Sequence, residues 1–484
     1  MIRLGAVALL VFLVHPLGGR AQDTGETAPG ATARQAMEKA GAFFRDRLGV
    51  HGTYVWRYSL DGRRREVEGG SAAPSVGWVQ PPGTPAVGAA FLRIYEATGD
   101  AQWLDAAHTV AAALVDGQLM SGGWHFSIET DPDERENWCY RSRDIEAKAC
   151  QRIKDNRSAN RTVLDDNTSQ SVFNFLIWFD EANDGKDRSV REAIDYGLGQ
   201  LMRVQYRNGA FPNFFSTGAP GADVETASHA SMPASWSPDW QKPETPPYFI
   251  VNDNVPRDTG RLFLSAYKTY RNPDYLKAAM RLGDFLVAAQ LPHPQEGWAQ
   301  QYDRTLQPVW GRKFEPPAVV SRETAGSIDF LLELYQASNK ARYLEAARSA
   351  GDWLTGARLS DGTWARYYEL NTNRPLYVDN DNRVTFEPVN LLTHYGMKGE
   401  FEIPLTLARL ARVLRGERPT EPNLWVSPAD DLGPDQLQKD AAVLMATQDP
   451  EGRWADGEWV DGKRFVDAVF VLARHAAIQD DAEQ

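Results

Sequence analysis

Along this chain, apolar residues recur at i, i+3, i+4 and i+7 in paired segments, the spacing of helices that bury one face. The first pair is VGAAFLRIYEATGD followed by AQWLDAAHTVAAALVDGQ, closed by a glycine turn carrying an aromatic, GGWHF. The unit returns as SQSVFNFLIWFDEAND, VREAIDYGLGQLMRVQ and NGAFPNF, then as TGRLFLSAYKTYRN, PDYLKAAMRLGDFLVAAQ and EGWAQQY. A fourth copy is AGSIDFLLELYQASN, ARYLEAARSAGDWLTGA and DGTWARYY; a weaker fifth is IPLTLARLARVLRG, PDQLQKDAAVLMATQ and EGRWADG. The marker aromatics Trp124, Phe211, Trp298, Trp364 and Trp454 stand 87, 87, 66 and 90 residues apart, so each repeat is two helices plus a loop of variable length. Such pairs cannot bury their apolar faces alone and must stack into a solenoid or close into a ring. Both are all-α folds, and the uneven spacing and long aromatic loops favour the ring over the solenoid. The expected architecture is an incomplete or complete α/α toroid of helix-pair repeats, with a few short strands and the long loops forming a cleft at one end.

Flanking segments divide the chain further. Residues 1–21 are expected to be an export signal: Arg3 is the charged start, residues 4–14 the apolar stretch, and Gly19-Arg20-Ala21 a cleavage site. That stretch is too short to span a bilayer, and no later one is long and apolar enough, so no membrane association is expected. Residues 22 to about 35 are small and polar without an apolar period, which predicts a disordered leader; residues 36–48 carry a weak helical pattern. Residues 54–70 predict a β-hairpin around Asp61-Gly62. The expected division is therefore a signal at 1–21, an arm at 22–84, the toroid at 85–420 and a helical extension at 421–484. Export implies a secreted or periplasmic protein. In that oxidising setting Cys139 and Cys150, the only two cysteines, are expected to form a disulfide rather than a metal site.

The net charge of −13 argues against nucleic acid as a partner, although a local basic cleft can still bind an anion. Fifteen Trp and 17 Tyr exceed what packing alone usually requires, and such side chains often line carbohydrate clefts. Histidines number only eight, and no serine–histidine–aspartate order, zinc spacing or glycine-rich phosphate loop is present. A monomer is expected.

Three stretches carry candidate chemistry. Residues 296–323, EGWAQQYDRTLQPVWGRKFEPPAVVSRE, gather Trp298, Tyr302, Trp310, Arg312, Lys313 and Glu315 in a loop long enough to suggest function. Rings beside guanidinium and ammonium groups suit an anionic sugar, though the same loop could simply pack on its own domain. Asp165, Asp166 and Asn167 precede one predicted helix, and Asp253 with Asn254 precedes another. One of them suffices as a cap, whereas adjacent carboxylates facing one cleft would suit Ca²⁺. In residues 363–383, Arg366, Arg374 and Arg383 alternate with Tyr367, Tyr368 and Tyr377, as a hairpin with a solvated face or as a second sugar-facing loop.

Four segments in order, LDDNT, NDNV, QLPHPQEGWAQQYD…LQPVWGRKFEPP and WARYYELNTNR, resemble the pectic acid lyases, polysaccharide lyase family ten. The resemblance runs from about Arg161 to Arg383. It implies calcium-dependent cleavage of polygalacturonate, or a related uronate, by anti β-elimination. Matched by position, Asp165 and Asp253 fall on the family's calcium-binding aspartates, Arg312 on the arginine that takes the C5 proton, and Arg366 on a substrate-binding arginine. Arg374, Lys313, Asn254, Trp298, Tyr302 and Asp166 are expected to contact the sugar as well.

The chain departs from the family at three places. Asn380 stands where the family carries a further arginine, Arg322 where it has a small residue, and Asp166 where it has Asn. Two other readings stay open: an α/α-toroid hydrolase or epimerase on an acidic sugar, using Asp253 and Glu315 as acid and base, and a polysaccharide-binding protein without turnover.

Overall fold

The computed structural model describes residues 29–143, 150, 158–216, 226–242, 249–417, 425 and 427–483. The expected signal at 1–21 lies outside them. The described chain is mostly helical, with twelve α-helices. They are α1 (Pro29–Phe43), α2 (Thr84–Thr98), α3 (Ala101–Asp116), α4 (Thr168–Ala182), α5 (Arg188–Val204) and α6 (Val255–Tyr270). The second half adds α7 (Pro273–Ala289), α8 (Ser321–Ser338), α9 (Ala341–Gly356), α10 (Ile403–Leu414), α11 (Pro434–Thr447) and α12 (Gly462–Glu483).

Helix burial sorts these into two layers. In α4 nearly every side chain from Thr168 to Asp180 is buried, the pattern of a helix enclosed on all sides. Its partner α5 buries only a stripe, Val190, Ala193, Ile194, Gly197, Leu198 and Leu201. The inner layer runs α12–α2–α4–α6–α8–α10, each packed on the next, and α3, α5, α7 and α9 lie outside their inner partners. Three of these outer helices, α3, α5 and α7, start at polar caps: Asp100, Asp187 and Asn272 accept hydrogen bonds from main-chain N–H groups of the first turn, each cap contributing about 1 kcal/mol.

The marker tryptophans hold each repeat together. Trp124, Trp298, Trp364 and Trp454 are buried, and each donates its indole N–H to a carbonyl on the outer helix before it: Leu114, Leu286, Leu354 and Leu444 at 2.7–2.8 Å. A second repeat feature lies just upstream. Gln118, Gln205, Gln290 and Gln448 each donate a side-chain amide to their own turn and to the next outer helix. Their outer-helix acceptors are the carbonyls of Ala193, Ala278, Ala346 and Ala36.

The last of these contacts joins α11 to α1, so the two ends of the chain meet. Helix α12 packs on α1, α2 and α11. A five-stranded sheet also joins strands Arg57–Ser59, Arg65–Val67 and Gly70–Ser71 to Ala455–Asp456 and Trp459–Asp461. The expected hairpin around Asp61-Gly62 is present within that sheet. The disordered leader is not observed over residues 29–35, which belong to α1; Ala33 is fully buried against the core. Tertiary packing stabilises a helix whose own apolar period is weak. Cys139 and Cys150 form the expected disulfide. Among the described residues no helix is long and apolar enough to cross a membrane.

Candidate active site

Short strands deliver the candidate residues to inner-helix starts. Thr162–Val163 leads into Asp165 and Asp166, Phe249–Ile250 into Asp253, and Ala318–Val320 into Arg322 and Glu323 at the start of α8. The first two leads share a conformation: Asp166 and Asn167 have φ of 50° and 57°, and Asp253 and Asn254 have 47° and 59°. Asp and Asn tolerate this left-handed region better than other side chains with a Cβ. The register makes Asp166, rather than Asp165, the structural counterpart of Asp253, and Asp165 the counterpart of Asn252.

Asp165, Asp166 and Asp253 each place a carboxylate oxygen within 4.8 Å of the others. Burial raises the Asp165 carboxyl to about 7, and the charges of Asp253 and Asp166 add to it against Arg312. Asp166 is raised to about 6 by burial, Asp253 and Glu68, opposed by Arg322 and Arg312. Asp165 Oδ1 is buried without a hydrogen-bond partner. An oxygen-only donor set with uncompensated negative charge fits a hard divalent cation such as Ca²⁺; these residues could hold one.

Arg312 lies against this cluster. Its Nη2 is 3.4 Å from Asp253 Oδ2 and 2.6 Å from Glu315 Oε1, and its Nε donates to the same Glu315 oxygen at 2.8 Å. The Arg312 main-chain N–H donates to Glu315 Oε2 at 2.7 Å, closing a tight turn. Gly311 permits that turn, since a Cβ there would come 2.5 Å from Glu315 Oε2. Burial pulls the Arg312 guanidinium pKa down. The hydrogen bond and charge of Glu315, with Tyr395 and Asp253, outweigh it, so the net direction is up.

Charges alternate around the rest of the site. Arg322 Nη1 is 3.0 Å from Asp253 Oδ1 and 3.5 Å from Glu323 Oε1. Arg366 Nη1 is 3.5 Å from the same Glu323 oxygen, its Nε donates to the Gly396 carbonyl at 2.6 Å, and its guanidinium stacks on Tyr395 at 4.0 Å. Gln300 donates to Asn252 Oδ1 at 2.6 Å and to the Tyr395 hydroxyl at 2.7 Å. Asn252 in turn donates to Asp253 Oδ2 at 2.7 Å.

Asp165, Asp166, Asp253, Arg312 and Arg366 therefore converge, and Asn254 adjoins them at the start of α6. Lys313 lies over the Trp240 ring at 5.6 Å. Arg374 stacks on Phe386 at 3.8 Å in the hairpin of strands Tyr367–Glu369 and Pro375–Val378, and its described contacts do not reach the cluster. Trp298 and Tyr302, expected to face sugar, are fully buried. The Tyr302 hydroxyl accepts from the Ala299 N–H at 2.7 Å and the Trp298 indole donates to the Leu286 carbonyl, and neither ring has a face open to solvent. Tyr395 was not anticipated: it lies beyond the four resembling segments, in LLTHYGMKG, where neither period nor motif marks it.

No family model matches this chain, and no curated protein does. Among solved structures, a family 10 polysaccharide lyase from Cellvibrio cellulosa is similar at 16% identity and a TM-score of 0.45, over 68% of this chain and 96% of that one. A GH76 α-mannanase from Bacteroides thetaiotaomicron is similar at 12% identity and a TM-score of 0.46, over 96% and 99%. An unsaturated glucuronyl hydrolase specific for heparin is similar at 10% and 0.46, over 93% and 98%. The toroid of the present chain stands on its own helix contacts.

Proposed function

We propose that this chain is a secreted, calcium-dependent pectate lyase that cleaves polygalacturonate by anti β-elimination. The observation that carries this reading is the contact of Arg312 with Asp253 inside the acidic cluster, on segments that resemble the family in sequence. The reaction removes the C5 proton α to a uronate carboxylate. The C5–H electron pair becomes the C4=C5 double bond, and the C4–O4 bond breaks with O4 leaving.

Arg312 is assigned the C5 proton, and Arg366 the binding of a uronate carboxylate. A divalent cation held by Asp165, Asp166 and Asp253 would neutralise those carboxylates, offset the substrate's charge and favour a deprotonated guanidinium. Because Glu315 and Asp253 hold Arg312 protonated at rest, activity is expected to rise towards alkaline pH. Glu315 also fixes the guanidinium's orientation, so that one edge faces the cluster.

A second reading has its own support. Asp165 keeps a proton near neutrality, the property of a general acid in a glycoside hydrolase. The products separate the two. Incubation with polygalacturonate and calcium should give ultraviolet absorbance from an unsaturated uronate end, and chelation should abolish it. New reducing ends without that absorbance would establish hydrolysis and exclude the lyase.

A further inference from the structure

Asp253 is the one member of the acidic cluster already neutralised by the chain itself. Its Oδ1 is 3.0 Å from Arg322 Nη1, and its Oδ2 accepts from Asn252 and lies 3.4 Å from Arg312. Asp165 Oδ1, in a residue only 9% exposed, has no partner. The two arginines differ in how firmly they are held. Arg312 is fixed by three contacts to Glu315. Arg322 is tied to carboxylates through Nη1, at 3.0 and 3.5 Å, and is 32% exposed.

Behind Arg322 lies a polar cavity of about 140 Å³, lined by Asn254, Arg257, Gly326, Asp329 and Thr406 as well as Arg322. Two of the lining residues, Asn254 and Asp329, each 5% exposed, hold a side-chain oxygen, Oδ1, that is buried without a hydrogen bond. Buried oxygens of this kind are costly to leave unpaired. Asp329 Oδ2, by contrast, is satisfied by Thr406 and Arg409 at 3.1 Å. A guanidinium is a fork of donors that can satisfy two oxygens together.

We propose that Arg322 is a built-in counter-cation that competes with a divalent metal for Asp253. Metal entry turns its guanidinium from Asp253 into the adjoining cavity, onto Asn254 Oδ1 and Asp329 Oδ1. Arg322 thereby sets the metal affinity of the cluster, and the cavity is its second resting place. This rests on the reading above that Asp165, Asp166 and Asp253 hold a divalent cation. The same exchange makes Asp329 a positioning residue for metal uptake, although it lies outside the cluster.

The test is calcium titration of the metal-stripped full chain by calorimetry, at fixed pH and ionic strength. Arg322→Ser and Arg322→Gln should each bind calcium about tenfold more tightly or better, because a charge-assisted contact no longer has to be broken. Arg322→Lys, which keeps the charge, should stay near the parent. If the serine variant fails to fold, the longer glutamine retains much of the packing and carries the comparison. Asp329→Asn should weaken calcium binding several-fold in the parent and leave it unchanged in the Arg322→Gln background, a coupling read by the double-mutant cycle. Equal or weaker calcium affinity on removing Arg322 would overturn competition while leaving the metal site standing. An equal effect of Asp329→Asn in both backgrounds would overturn the second position. Absence of calcium binding in the parent and all variants would overturn the metal reading itself, and this inference with it.

Discussion

At the level of single residues, the site shows how far residue type predicts position. Arg312 was marked by its motif, and it does meet Asp253. Its protonation could not be read from the motif, because it is set by Glu315 three positions later, whose carboxylate folds back on the guanidinium. Trp298 and Tyr302 stand in the same loop and suggested a sugar platform, yet both rings are enclosed. A sequence gives the chemistry of an indole but not the side from which its neighbours approach. Trp298→Phe should therefore lower stability by about 1 kcal/mol through the lost bond to Leu286, with KM unchanged; a rise in KM with unchanged stability would restore a binding role. Tyr395→Phe should cost about 1–3 kcal/mol in urea unfolding, because Gln300 and Asn252 lose a buried partner. Unfolding indistinguishable from the parent would contradict the network described.

Among the elements, the helix pairs were legible because amphipathic period and marker aromatics recur together. The staple between repeats was legible only in hindsight. A glutamine six residues before the marker recurs at Gln118, Gln205 and Gln448, while Gln290 lies eight before Trp298 and Arg358 replaces it in the fourth copy. Its meaning is a contact to the next outer helix, which no local pattern encodes. Gln448→Ala removes the bond to Ala36 that ties α11 to α1. The expected loss is roughly 1–3 kcal/mol of unfolding free energy, with hydrogen exchange in α1 rising first; protection of α1 unchanged would show that the staple is not what holds it. Residues 29–35 are helical for the same reason. Their order comes from packing on α12, which lies more than 400 positions away in the chain.

At the scale of the molecule, the ring brings segments from three repeats to one end, and the site's carboxylates outnumber its guanidinium groups. Asp165 and Asp166 are raised from 3.8 to about 7 and 6, so the metal-free fold holds protons that the unfolded chain releases. Stability from these protons is complete below 3.8 and is lost as pH rises through 6 to 7. Urea midpoints of EDTA-treated protein should fall across that window, and saturating calcium should remove the fall. A flat profile in EDTA would mean that the three carboxylates do not crowd one another. The resemblance named the reaction and its arginine, but the fit of the cluster to a cation depends on the spacing of two helix starts, which only the packing of α4 on α6 fixes.

The most direct test compares Arg312→Ala with the parent, measuring oligogalacturonate binding and formation of the unsaturated product under the same conditions. In Arg312→Ala, kcat should fall by about 10²–10⁴-fold, the range for loss of a proton-transfer group, while the sugar still binds. Turnover retained at the parental rate would contradict the assignment of Arg312 and the elimination built on it.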